Sequence, residues 1–504
     1  VTTSRSAESS HVTNTLARSR LGTAAVVFFV MAAAAPLTVT AGGATSGFAI
    51  TERTGIPIAY LAVAAILALF AVGYVAMSRH VVNAGAFYSY VAQGLGKPAG
   101  VGAAFIAVLA YNAMQIGLYG GFGAVLAGFL GDRFGISVSW WACALAGWAI
   151  VAVLGVLRVD LNGRVLAVML LAEIAVAALF AVVMVANPAE SGFTFSALSP
   201  GFLFSAGIGA ALVTAVTGFV GFEATVVFSE ETRDPRRTVA RATFIAVAVT
   251  GLLYGLSAWA LTVATGPDKI VAAAQEHSTE LIFTLVQPHV GQFVVDLGHL
   301  LFVTSLFAAL LSFHHTVGRY LFSLGREQVL PAVLGRTSRR TSAPKAGSIT
   351  QSTLALLVLL GFAAAGADPI VHLFFWVTVS GGLGVLILMT LTSAAVIGYF
   401  IRDRRGENVW RRLAAPVLAT VALGWVLYLT IDQFAVLLGV DPASPLRWLF
   451  PASFAVTAAL GLLWAVLLRA WRPEVYDAVG LGANAAAANP FGLSTPLVTE
   501  GSRA

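Results

Sequence analysis

"AAAAPLTVTAGG", residues 32–43, stands where an unbroken membrane helix would be expected. It continues the apolar run 24–31, and more apolar sequence follows it. Pro36 has no N–H to donate and its ring clashes with the turn before it, so it ends or kinks a helix. Thr38, Thr40 and the glycines at 42 and 43 weaken the helix further. Non-helical backbone at membrane depth is tolerated only where protein or a water-filled cavity satisfies it. The stretch therefore predicts a discontinuity beside a cavity, and the rest of the chain must supply that cavity.

The composition fits. Of 504 residues, 58% are hydrophobic and 10% charged, with a mean hydropathy of +0.87. Soluble domains carry about 25% charged residues, so the chain reads as an all-α polytopic membrane protein. Its one cysteine, Cys143, lies in an apolar run, which excludes a disulfide framework and a cysteine metal site. No metal or cofactor is expected. The first twenty residues are polar and Ser/Thr-rich, and read as a retained cytoplasmic tail rather than a signal peptide. The initial Val is consistent with a GTG start codon in a GC-rich bacterium.

A crossing needs about 20 apolar residues. Twelve such runs fall at 22–50, 56–77, 99–130, 138–157, 163–186, 203–229, 239–265, 291–323, 348–367, 370–400, 413–439 and 446–470. With the N-terminus inside, only Arg53, Arg133, Lys269 and Arg447 of the 29 basic residues fall outside. That positive-inside bias places both termini in the cytoplasm. The basic net charge then reports topology and anionic lipid, not nucleic acid. The outer loop 266–290 has room for a short helix, and the segment after Trp471, residues 472–504, is expected to be disordered. No extramembrane segment is large enough for a catalytic domain.

Ionisable groups inside spans are expensive and point to function. Glu223, in "TGFVGFEATVVF", follows Gly218 and Gly221, so a weakened helix and a carboxyl occur together. It reads either as a protonated carboxyl bonded to a neighbouring helix or as a proton-titratable coupling group beside a break. Glu173, in "MLLAEIAVAALF", has the same two readings without a glycine break. His314 and His315 near the end of span 8 suit carbonyl bonding at a helix terminus, with a coupling role for His314 as the alternative. In "YNAMQ", Asn112 and Gln115 share a helix face with Tyr111 nearby, for interhelical bonding or for lining a polar cavity. "GYVAMSRHVVNAGAFYSYVAQGLG" reads as a loop or as a short in-plane or re-entrant helix under the bundle.

Three stretches together resemble the amino acid–polyamine–organocation superfamily of secondary transporters. "SRHVVNAGAFYSYVAQGLG" (78–96) is similar to its first cytoplasmic loop, with a Gly-rich turn and spaced tyrosines. "FVGFEATVVFSEETRDPRRTVARA" (219–242) is similar to its sixth-span signature, and "GRYLFSLGREQVLP" (318–331) to the pattern after span 8. Their order along twelve spans fits the family from residue 20 to 470. The resemblance implies the LeuT-like five-plus-five inverted repeat, with residues 21–186 and 200–402 as the two repeats and 412–470 as spans 11 and 12. It implies discontinuous helices 1 and 6, and the breaks at 32–43 and 217–223 occupy corresponding places in the two halves.

A substrate site between those breaks would use Ala32, Ala33, Ala34, Ala35, Pro36 and Thr38 from one, and Thr217 and Gly218 from the other. Asn112, Phe219, Phe222, Phe313 and Trp376 are wall or gate candidates. Many relatives carry Gly-Ser-Gly where this chain has Ala32, Ala33 and Ala34. Alanine disfavours positive φ, so this break is expected to rest on Pro36. Some proton-coupled relatives carry Lys where this chain has Glu173, a residue able to carry a proton or ligate a cation.

The implied activity is alternating-access import of an amino acid across a bacterial inner membrane, coupled to protons, by a monomer or homodimer. A polyamine or amine importer, or an exchanger, is the alternative. A membrane enzyme using His314, His315 and Ser312 lacks a Gly-x-Ser-x-Gly elbow, and a non-transporting sensor lacks an output surface.

Overall fold

The computed structural model describes residues 22–482 apart from 82, 158, 230, 231, 233 and 339–342. The expected tail 1–20, and the expected disorder at 483–504, lie outside the described residues. Regular structure among the described residues is helical, with no strand.

The first half contains α1 (Thr23–Ala34), a π-helical turn (Thr38–Gly43), α2 (Ala44–Thr51), α3 (Ile56–Ser78), α4 (Phe87–Leu95), α5 (Lys97–Phe134), α6 (Trp140–Gly155) and α7 (Val159–Ala186). The second half contains α8 (Ile208–Phe219), α9 (Ala224–Val227), α10 (Pro235–Thr265), α11 (Ile270–His277), α12 (Leu281–Val286), α13 (Gln292–Arg326) and α14 (Lys345–Ala364). A second π-helical turn (Pro369–Val377) leads into α15 (Thr378–Arg402), followed by α16 (Ala415–Asp432), α17 (Phe434–Leu438), α18 (Leu449–Trp471) and α19 (Pro473–Ala478).

Prolines and capping residues set many of these boundaries. Asp234 accepts from the Arg237 N–H at 3.2 Å and Pro235 follows it, so α10 starts there. Gly135, at φ 67°, closes α5.

Among the described residues, eleven helical segments are long and apolar enough to cross a membrane. The run expected at 138–157 is α6, an apolar helix of 16 residues. At 1.5 Å per residue it reaches about 24 Å, short of the usual core thickness. The expected short helix in 266–290 is present as α11, with α12 after it.

The long helix α5 packs against α4, α6, α13, α15 and α18, and so forms the spine of the bundle. Small residues allow these approaches, as in membrane bundles generally: a Cβ on Gly94 of α4 would lie 2.0 Å from the Ala395 carbonyl oxygen of α15. Every residue from Phe87 to Ala92 is buried, so "AFYSYVAQGL" forms a helix seated in the bundle rather than a free loop. Large apolar side chains of α16 and α18, Val421, Trp425, Val456 and Leu463 among them, face outward.

The start of the segment expected to be disordered is folded. Residues 472–482 pack under the bundle because Glu327, itself 1% exposed, accepts from the Gly480 and Gly482 N–H groups at 2.8 and 2.7 Å. Asn83 donates to the same carboxyl at 3.3 Å, and Lys97 pairs with Asp477 at 2.7 Å. Composition alone could not reveal a partner located about 150 residues away.

Candidate functional site

The helix that begins at Thr23 stops at Ala34. Ala35 takes φ 45° and ψ 72°, a left-handed geometry that costs an L-residue roughly 1–2 kcal/mol. Ala32, Ala33 and Ala34, which stand where many relatives carry Gly-Ser-Gly, stay helical, and the positive φ falls on Ala35, directly before Pro36. Pro36 disfavours right-handed helix at the residue before it, and the Ala35 N–H still closes onto the Met31 carbonyl at 3.0 Å. The chain then resumes as the π turn.

In the second half, α8 stops at Phe219, Val220 is extended, and Gly221 takes φ 123°. The two interruptions touch: a Cβ on Gly221 would lie 2.5 Å from the Ala33 Cβ.

Tyrosines from neighbouring helices satisfy part of the freed backbone. Tyr254 of α10 donates to the Ala34 carbonyl at 2.5 Å, and Tyr74 of α3 donates to the Glu223 carbonyl at 2.8 Å. The Glu223 side chain closes the second interruption from within. Its Oε2 accepts from the Gly221 N–H at 2.9 Å and its Oε1 from the Tyr111 hydroxyl of α5 at 2.5 Å. Tyr111 in turn stacks beside Tyr320 and Phe313 of α13.

Glu173, on α7, lies at the first interruption. Its carboxyl is buried beside Ser305 of α13 and the Leu37 backbone, and Oε2 has no partner. Ser305 accepts from the Thr38 N–H at 3.2 Å and the Thr38 hydroxyl at 3.1 Å. A buried carboxyl thus lies at each interruption, and that of Glu223 ties the second to α5.

Between the interruptions lies a cavity. Ala33, Ala34, Ala35 and Thr38 line one side, and Thr214, Thr217 and Gly218 line another. Met114 and Leu118 face it from the middle of α5, Ala309 and Phe313 from the middle of α13. Tyr60, Phe374, Phe375, Thr378 and Val379 complete the lining that matters here.

Several sequence candidates stand elsewhere. Ala32, Pro36, Phe219 and Phe222 are outside this lining, Phe219 packing on Tyr60 and Phe222 on Phe70. Asn112 donates to the Val108 carbonyl of its own helix at 2.6 Å. His314 bonds Gln115 at 3.2 Å and Ser348 at 2.7 Å, in a network that Gln351 joins by donating to Gln115. Trp376 packs on His372, while its neighbours Phe374 and Phe375 reach the cavity.

The family profile described as amino acid permease matches residues 21–460. The chain belongs to the amino acid permease family. With eleven membrane-length helices among the described residues, it is a multi-pass membrane protein. It is 24% identical over 227 residues to the low-affinity putrescine importer PlaP of Escherichia coli K12, a match covering 44% of this chain and 46% of that importer. It thus spans about half the length of that relative. It is also 24% identical over 441 residues to the branched-chain amino acid permease BcaP of Bacillus subtilis, covering 82% of this chain and 86% of BcaP. Among solved structures, a Na+-coupled sialic acid symporter in a substrate-bound outward-open state superposes with a TM-score of 0.51 at 14% identity. That match covers 82% of this chain and 90% of the symporter, and it shows the fold, which is of the LeuT type.

The residues this permease's sequence did not disclose are Tyr60, Tyr74, Tyr254 and Ser305. Each acts across a gap in the chain that no local pattern marks. The one available signal was the presence of tyrosine hydroxyls inside otherwise apolar spans 2 and 7.

Proposed function

We propose that the chain is a secondary active transporter that imports an amino acid across a bacterial cytoplasmic membrane by alternating access, coupled to protons. In this reading α6 also crosses, as the fourth of twelve spans, and both termini are cytoplasmic. The α1–α2 and α8–α9 pairs are the discontinuous helices of repeats 21–186 and 200–402. The observation that carries it is the cavity between two touching helix interruptions, with a buried carboxyl at each.

The physical logic is that of paired half-helices. The C-terminal ends of α1 and α8 carry a partial negative charge that suits an ammonium, and freed N–H groups suit a carboxylate. An amino acid offers both. The head group lies against Ala33, Ala34, Ala35, Thr38, Thr217 and Gly218, with Ala32 and Pro36 shaping the turn, and Phe313 forming a wall. Asn112, Phe219 and Phe222 support that shell from behind. Glu223 and Glu173 are the proton-coupling candidates, because protonation changes a carboxyl from acceptor to donor and so alters the bonds each makes to its interruption. His314 is a gating candidate through Gln115 and Ser348.

The test is Glu223→Gln, and separately Glu173→Gln, in proteoliposomes with an imposed pH gradient. The expected result is at least a tenfold loss of gradient-driven uptake with substrate counterflow retained. Undiminished gradient-driven uptake would remove that residue from coupling. The similarity to a putrescine importer favours a second reading, an amine importer or exchanger, in which a carboxylate serves the amine directly.

A further inference from the structure

Among the described residues that line the cavity, Tyr60 has a buried side-chain polar atom without a partner. The residue is fully buried, and its hydroxyl makes no hydrogen bond. A Cβ built on Gly43 or on Gly218 would each lie 3.5 Å from that oxygen, which places it where the first π turn meets α8. The ring is fixed by Tyr254 and Phe219, at centroid distances of 5.6 and 6.2 Å.

The other hydroxyls around the cavity are committed. Thr214, Thr217 and Thr378 donate to the carbonyls of Ala210, Val213 and Phe374, and Thr38 donates to Ser305. A buried hydroxyl with no partner is costly and therefore uncommon, so it calls for a specific explanation.

The opposite walls carry no charge. Met114, Leu118, Ala309, Phe313, Phe375 and Val379 are apolar, and no Asp, Glu, Lys, Arg or His lines the cavity among the described residues. The two nearby carboxyls lie outside the lining: Glu223 is held by Gly221 and Tyr111, and Glu173 is buried beside Leu37 and Ser305 with its Oε2 unpartnered. A ligand with a second ammonium, or with a charged side chain, would lose its hydration here without gaining a counter-charge.

We infer that the cavity takes a zwitterionic amino acid with an uncharged, apolar side chain, anchored through its carboxylate by the Tyr60 hydroxyl. This rests on the transport reading above. The O–H donates to the carboxylate, a charge-assisted bond stronger than one between neutral groups. The side chain lies against the apolar walls of α5 and α13, and diamines and cationic amino acids are excluded by desolvation.

The test uses the purified full chain and reads the thermal shift and affinity for L-leucine, L-valine, L-phenylalanine, L-lysine, L-glutamate and putrescine. Apolar amino acids are expected to raise the melting temperature and the charged compounds to leave it unchanged. Tyr60→Phe is expected to weaken L-leucine about ten- to hundredfold while melting, unliganded, no lower than wild type, because the lost hydroxyl has no protein partner. A purely structural hydroxyl would give the reverse pattern, a lowered melting temperature with affinity intact, and would overturn the anchor. Leu118→Ala provides a second variant, expected to shift preference from L-valine toward L-phenylalanine. Stabilisation by putrescine or L-lysine and by no apolar amino acid would overturn the substrate class and leave the transport reading standing. A chain that binds none of the panel would overturn the transport reading itself.

Discussion

Two residues hold backbone geometry that the rest of the site depends on. Gly221, at φ 123°, has no room for a side chain, since Ala33 occupies the space a Cβ would need. Gly221→Ala is therefore expected to destabilise the protein by at least about 2 kcal/mol, combining left-handed strain with overpacking, measured as a lowered melting temperature. Ala35 presents the opposite case. At φ 45° it is an alanine where glycine would be easier, so Ala35→Gly should be neutral or stabilising by roughly 1 kcal/mol. Ala32→Gly, in regular helix one turn earlier, should cost about 1 kcal/mol. Equal effects of the two substitutions would contradict the assigned geometry. These conformations were only half legible in the sequence. Gly221 could be suspected because glycine beside a carboxyl stands out in a span. Ala35 could not, since its strain comes from Pro36 after it and from packing around it.

At the scale of elements, the interruption in the first helix was legible because Pro36 removes a donor and the glycines at 42 and 43 weaken the next turn. The clamps that make it tolerable were not. Tyr254 reaches Ala34 across 220 residues, and Tyr74 reaches Glu223 across 149. Tyr254→Phe should leave the Ala34 carbonyl unsatisfied and lower stability by about 1–3 kcal/mol. No change in melting would show that this carbonyl finds another donor. In the second π turn, Pro369–Val377, Phe374 and Phe375 line the cavity, whereas Trp376, the candidate named from the sequence, packs on His372.

For the whole molecule, composition and span counting were enough to read an all-helical membrane bundle, because burial in lipid leaves helices few alternatives. The fold of residues 472–482 was not readable, since it depends on partners distant in the chain, above all the buried Glu327 at the end of α13. In Glu327→Ala, the Gly480 and Gly482 amides are expected to exchange with deuterium at least tenfold faster while the amides of α5 are unchanged. Unaltered protection would show that other contacts hold the tail. The central claim concerns the bundle as a machine in which two interrupted helices enclose a substrate and two carboxyls couple its passage to protons. It is tested most directly by L-leucine uptake into proteoliposomes holding the full chain, with the exterior acidified. The account predicts accumulation above the external concentration that a protonophore abolishes. Uptake that never exceeds equilibration, or accumulation indifferent to the protonophore, would contradict it.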